Sequence, residues 1–205
     1  MLVSDIIKQV REYLNEVSAL NEAEVLNGSA PVDERIKAMI PECAILLCDG
    51  TAMDVSTFAI DSNGVGTIEV PANYGRLKEL RLSCWSRSVY DTVDAESAAY
   101  RRQQNIVTRG GTVRPVVAIV PHGEGRMLEL YSVPVWDSRV KVDRATYVAV
   151  PTIEGDDTKI LVSKDKESVL CYMVAVRVAR SYGNESAAQL LSSTLNEQMA
   201  TTIII

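Results

Sequence analysis

His122 is the only histidine in the 205 residues. Any mechanism in which an imidazole activates a serine or cysteine would have to use it. It stands between Pro121 and Gly123, at the expected tip of a hairpin. That is a mobile, solvated place for a general base, so a catalytic role is not expected. The four cysteines, Cys43, Cys48, Cys84 and Cys171, show no CxxC spacing, and with one histidine a zinc site would need an unusual ligand set. Cys43 and Cys48 lie five apart, about 140° around a helix, and all four read as buried free thiols. Asp33-Glu34 and Asp156-Asp157 are adjacent acids, which point apart on a helix or strand; Asp156-Asp157 after Gly155 reads as a turn. Gly110-Gly111 lacks the flanking strand and helix of a phosphate loop, and no dinucleotide or calcium-loop spacing is present. The chain is expected to be no enzyme and to hold no cofactor or metal.

The arginines are the more promising chemistry. Arg101-Arg102, Arg109 and Arg114 are good phosphate ligands, but base stacking needs aromatic rings and only Tyr100 is near. The balance of 21 basic and 27 acidic residues, net −6, makes a poor general nucleic-acid binder, because that affinity comes mainly from neutralising phosphates. A protein contact or a solvated loop is the better reading. The charge is uneven: residues 1–75 hold four basic and twelve acidic groups, whereas 76–114 hold eight basic and four acidic. An acidic end and a basic middle suit head-to-tail contact between copies. The run Thr201-Thr202-Ile203-Ile204-Ile205 is also unusual. Such β-branched residues either tuck into the core or add a strand to a neighbouring subunit. The candidate interface residues are therefore Arg76, Arg87, Arg101, Arg102, Arg109 and Arg114, with Ile203, Ile204 and Ile205 as a β-augmenting tail.

Positioning them requires a folded core. Apolar residues make up 47% and charged residues 23%, which suits a globular chain and excludes collagen-like, disulfide-scaffold and disordered classes. One Phe, two Trp and eight Tyr leave the core to Val, Leu, Ile, Ala and Met. Ser4 can cap a helix to about Leu20, with Ile6, Ile7, Val10, Leu14 and Val17 on one stripe. After a loop over 21–30, Pro31 opens a second helix that ends at Asp49-Gly50, with Pro41 predicted to kink it or start a fresh turn. From Val55 the period changes to two. Strands are predicted over 55–60 and 66–70, joined by the tight turn Asp61-Ser62-Asn63-Gly64, and again through Leu77, Leu80, Leu82 and Trp85. The polar segment 91–112 reads as a long exposed excursion. A hairpin of 116–120 and 127–131 follows, then strands at 145–150 and 159–162. Helical period returns at Asp165; Gly183 stops that helix and Asn184 caps a last one, giving an antiparallel pair.

The fold class is therefore α+β. Residues 1–50 and 164–205 form a helical core of four helices, and 51–163 form a strand-rich insertion between helices two and three. The longest apolar stretch near the C-terminus, Val169 to Val176, is far short of the roughly 20 residues of a bilayer span. No signal peptide is visible at the N-terminus, so a soluble protein made in the cytoplasm is expected.

The run from Asp61 to Pro71 feeds Arg76-Leu77-Lys78-Glu79-Leu80 and then Cys84-Trp85-Ser86-Arg87. This glycine-bounded strand, proline, Arg-Leu pair and Trp-x-Arg resemble the central segment of phage head-to-tail adaptors, the connector or tail tubular protein A-like family. The similarity is nearest to the ring proteins of crAss-like and related short-tailed phages. Tyr100 to Asn105 and Gly125 to Tyr131 fit the same pattern, and the resemblance covers roughly 30–182. After the proline, Ala72-Asn73-Tyr74 keeps the family's aromatic but not its acidic residue. The resemblance implies a structural protein with a helical core and a β insertion. It implies a ring, usually of about twelve copies, that docks on the portal and adjoining tail proteins. Genomic DNA would pass through without sequence-specific binding, and no membrane is involved.

Overall fold

A computed structural model describes residues 1–16, 32–135 and 139–203, the last three by their backbone alone. The predicted extension of the first helix to Leu20, the loop at 21–30, and Pro31, Trp136, Ile204 and Ile205 lie outside the described residues. The chain forms two compact units, Met1–Asp49 with Val150–Ile205, and Gly50–Ala149. This is an α+β protein whose strands are inserted in a helical unit, between the helices Val32–Leu47 and Glu167–Ser181.

In the helical unit, α1 (Val3–Glu16) buries Val3, Ile6, Val10 and Leu14 completely, the three- and four-residue spacing that makes one stripe. Helix α2 (Val32–Leu47) runs through Pro41 as one element and buries Ile36, Ile40, Cys43 and Ala44. The helix after the insertion, α4 (Glu167–Ser181), packs against α1, α2 and the last helix, α5 (Glu185–Ile203). Those contacts explain why Val169, Leu170, Cys171, Val174, Ala175, Val178 and Ala179 are all buried. Gly183, at φ +73°, ends α4, and the Asn184 N–H donates to the Ala179 carbonyl. The Asn184 Oδ1 then accepts from the Ala187 N–H at 3.1 Å and caps α5.

The insertion ends at Ala149, not at residue 163 as the sequence predicts. Residues 150–163 return to the helical unit because they pair with its first residues. Leu2 bridges Lys159, the Val3 N–H donates to the Thr158 carbonyl, and the Ile160 N–H donates to the Met1 carbonyl. Ile160 is fully buried there. The strand predicted at 159–162 does not form: the segment makes only the isolated bridge at Lys159, and it belongs to the helical unit.

The insertion holds two sheets and one helix. The three-stranded sheet runs β1 (Thr51–Ala52), β8 (Val142–Ala149), β4 (Tyr74–Leu82). The five-stranded sheet runs β2 (Ala59–Ile60), β3 (Val65–Glu69), β7 (Gly125–Tyr131), β6 (Val117–His122), β5 (Val93–Asp94). All pairs are antiparallel except β5 with β6. Ile68, Leu128 and Leu130 from one sheet and Leu77, Leu80 and Leu82 from the other share a core with Trp85. Leu128 and Leu130, and Leu80 and Leu82, take alternate positions of their strands and so one face, and a register shift between Leu77 and Glu79 brings Leu77 to the same core.

Two turns set the register. The Asp61 carboxylate accepts from the N–H groups of Asn63 and Val65 at 2.9 and 2.8 Å, and Gly64 takes φ +72°. At the other turn His122 pairs with Gly125, which leaves only Gly123 and Glu124 in the loop. The predicted strand 55–60 is reduced to Ala59–Ile60, because Asp54 accepts from the Ser56 N–H and turns the chain. Residues 91–112 are not a shapeless excursion either. They contain β5 and a helix, α3 (Ala98–Gln104).

Candidate functional site

The arginine-rich segment is organised by α3. Ser97 caps the helix, its Oγ accepting from the Tyr100 N–H at 3.1 Å and donating to the Asp94 carbonyl at 2.7 Å. Arg101 and Arg102 are exposed, and Arg101 donates to the Glu96 carbonyl. The loop after α3 folds back on it: the Val107 N–H donates to Asn105 Oδ1, and Thr108 Oγ1 donates to the Arg102 carbonyl. The Arg114 N–H donates to the Gly110 and Gly111 carbonyls, closing a turn in which Gly111 has φ +65°.

Arg109 holds this loop to the sheet. Its Nε donates to the Gln103 carbonyl at 2.7 Å and its Nη1 to the Asn63 carbonyl at 2.5 Å. Its Cζ lies 5.3 Å from the centre of the Tyr131 ring. Tyr131 is buried, donates its hydroxyl to Glu129 at 2.5 Å and accepts from Gln104 Nε2 at 2.8 Å. Burial first, and then the bond to the Glu129 carboxylate, push that hydroxyl far up from its ordinary pKa. Tyr100 meets the Tyr131 ring edge-on with centroids 6.2 Å apart. A buried network of this kind fixes the position of everything attached to it.

Two hollows flank Arg109 and Ile106. One, of about 680 Å³, is lined by Asp61, Gln104, Glu129 and Tyr131. The other, of about 480 Å³, is lined by Thr112, Val133, Pro134 and Val135. Asn63, Ile106 and Arg109 line both, so the two hollows adjoin. Their rim is apolar and open to water: Ile106 is 72% exposed and Val135 50%. Val107 and Val113, on the same loop, are 86% and 66% exposed. Four large aliphatic side chains of the insertion unit are thus exposed to water.

The structure thus gathers Arg101, Arg102 and Arg114 on the exposed side of one loop cluster. Arg87 joins them: the Ser86 N–H donates to the Thr112 carbonyl, and Arg87, Tyr90 and Pro115 line a neighbouring hollow of about 390 Å³. Arg109 turns inward and tethers the loop, so its guanidinium is committed within the chain. Arg76 stands apart on β4, exposed and opposite Val148 of the neighbouring strand β8. Ile203 is the last residue of α5, so the terminal segment is helical to that point and not an extended strand. The sequence reading missed Ile106, Val107, Val113 and Val135. The adjacent Ile106 and Val107 in an otherwise polar stretch were the available signal.

Trp85 is only 2% exposed and belongs to the core that the two sheets share. His122 is exposed at the end of β6. The thiols of Cys43 and Cys171 are buried and pushed up to about 11 and about 12 by desolvation. Among the described residues no cluster of acidic, cysteine and histidine side chains is placed to hold a metal. None of the described helices is long and apolar enough to cross a membrane. No protein-family model matches the chain, and no curated protein matches it.

Proposed function

We propose that this protein is a structural virion component, a head-to-tail adaptor of a short-tailed bacteriophage. Its copies form a ring below the portal, and DNA passes through the centre. The observation that carries the reading is the chain's arrangement. A helical unit is interrupted between its helices α2 and α4 by a strand-rich insertion, the layout implied by the sequence resemblance, which is best over 61–131. The insertion's exposed arginine and aliphatic loop supports a protein-binding role. The helical unit is acidic, with nine basic and sixteen acidic residues, while the insertion has twelve and eleven. Such a split favours heterologous contacts, which close into rings. A surplus of negative charge repels a phosphate backbone and lets DNA slide without sticking. The role is architectural: the portal and adjoining tail proteins are its partners, and its site of action is the virion.

Native mass spectrometry of the protein mixed with its own phage's portal ring tests this. A discrete added mass near about twelve copies is the expected result. A well-formed portal that gains no mass overturns the portal-docked ring.

A further inference from the structure

Asn63 and Gly64 are neighbours in the turn between β2 and β3, and the turn needs them for different reasons. It requires the glycine, whose φ is +72° and where an added Cβ would stand 2.5 Å from the Val133 carbonyl oxygen. Of Asn63 it uses the backbone. The Asn63 N–H donates to Asp61 Oδ1 at 2.9 Å, and the Asn63 carbonyl accepts from Arg109 Nη1 at 2.5 Å. The Asn63 side chain is exposed and makes one bond, from Nδ2 to Asp61 Oδ2 at 3.5 Å, too long to hold it firmly.

An asparagine followed by glycine carries an electrophile and a nucleophile within reach of each other. Asn63 Cγ is the electrophile, and the Gly64 nitrogen is the nucleophile, with no Cβ beside it to obstruct ring closure. A peptide nitrogen attacks once it has lost its proton, and the charge left behind is shared with the carbonyl oxygen of the same peptide group. For the Gly64 nitrogen that oxygen is the Asn63 carbonyl, the atom to which Arg109 donates. A positive donor fixed on the oxygen where charge develops favours the ionised form. The guanidinium keeps its charge, and it is held in place by its bond to the Gln103 carbonyl and by the Tyr131 ring. Against this stands the bond from the Gly64 N–H to the Asp61 carbonyl, which at 3.2 Å is at the long end of the range.

We infer that Asn63 is a site of spontaneous deamidation, and that Arg109 speeds it by stabilising the anion of the Asn63–Gly64 peptide group. Water or hydroxide takes the Gly64 proton, and the nitrogen bonds to Asn63 Cγ. The Cγ–Nδ2 bond breaks, and Nδ2 takes a proton from water and leaves as ammonia. The resulting succinimide adds one water molecule and opens to aspartate or to isoaspartate, with no oxidation or reduction. Either product sets a new carboxylate beside Asp61 and Arg109, where the two hollows adjoin. Isoaspartate also adds one carbon to the backbone next to Gly64, whose carbonyl accepts from the Val133 N–H. The inference does not depend on the adaptor reading.

The test incubates the folded full-length chain and a synthetic peptide of residues 58–68 in one buffer near neutral pH. Digestion and mass spectrometry follow the conversion of Asn63 from amide to acid. Folding ordinarily restrains this ring closure, yet Asn63 should convert at least as fast in the folded chain as in the peptide. An opposite charge in contact shifts an ionisation by about one to three pK units. At this exposed turn the low end applies, so Arg109→Met should slow the folded chain about tenfold. A merely structural tether predicts the reverse, because loosening the loop would speed the reaction. Conversion slower in the folded wild type than in the peptide overturns the inference. So does an Arg109→Met rate equal to or above wild type. If that variant does not fold, the comparison with the peptide decides alone.

Discussion

The guanidinium of Arg109 lies over the ring of Tyr131 and spans the gap between α3 and the β2–β3 turn, donating to Gln103 on one side and Asn63 on the other. One side chain thereby ties together segments 46 residues apart in sequence. It is the reason a glycine-containing loop can hold three valine or isoleucine side chains out in water.

Arg109→Met should remove two directed hydrogen bonds and the ring contact, and lower stability by about 1–3 kcal/mol. Arg109→Lys should recover little of that, because a point-charged ammonium cannot serve two carbonyls on opposite sides. Chemical denaturation of the three proteins checks this. Equal stability for wild type and Arg109→Met would mean the tether is dispensable.

Two glycines with positive φ separate strain from collision. At Gly64 an added Cβ would come within 2.5 Å of the Val133 carbonyl, whereas at Gly123 nothing lies within 4 Å. Gly123→Ala should cost only the left-handed backbone penalty, about 1–2 kcal/mol. Gly64→Ala should cost clearly more, since it also disturbs the bond from the Val133 N–H to the Gly64 carbonyl. Thermal unfolding of the pair ranks them, and the reverse order would contradict the packing at the first turn.

Tyr74 gives a pH signature. It is 2% exposed, and burial pushes its hydroxyl from 10.0 to about 12. In that interval the folded protein keeps a proton that the unfolded chain has lost. This contribution is therefore fully present below 10.0 and is lost as pH rises toward about 12. Tyr74→Phe should flatten this part of the alkaline stability profile measured by denaturant titration. An unchanged slope would show that other groups govern it.

Thiol reactivity should be graded. Cys43, Cys48 and Cys171 are buried and Cys84 is half-buried. The raised values at Cys43 and Cys171 further suppress their thiolates. An aromatic disulfide reagent near neutral pH should label Cys84 first in the native protein and all four cysteines after denaturation. Cys84→Ser should abolish the fast phase; fast labelling of Cys171 would contradict the burial of α4.

How much of this was legible follows from where each signal lives. Helices α1, α2, α4 and α5 declared themselves because each packs one face or more, and their apolar residues keep the helical period. The Asp61 to Gly64 turn and the β6–β7 hairpin were readable from their glycines and flanking alternation. Helix α3 was not, since Gln103 is its only buried residue and an apolar stripe never forms; only Ser97 hinted at a cap. The parallel pairing of β5 with β6 and the return of 150–163 to the helical unit depend on partners far away in sequence. The arginine cluster was visible as a charge run, but the inward turn of Arg109 was not, because its acceptors are backbone carbonyls that any residue could supply.

The strands that begin and end the insertion are hydrogen-bonded neighbours, Thr51 opposite Tyr147 and Ala52 opposite Thr146. The chain therefore leaves the helical unit and comes back to it through points about 5 Å apart. A hundred residues thus present themselves to their host as if they were a tight turn. Such a cassette can be lengthened, shortened or exchanged while the interval that the helices must span stays the same, so the insertion and the helical unit are free to diverge at different rates.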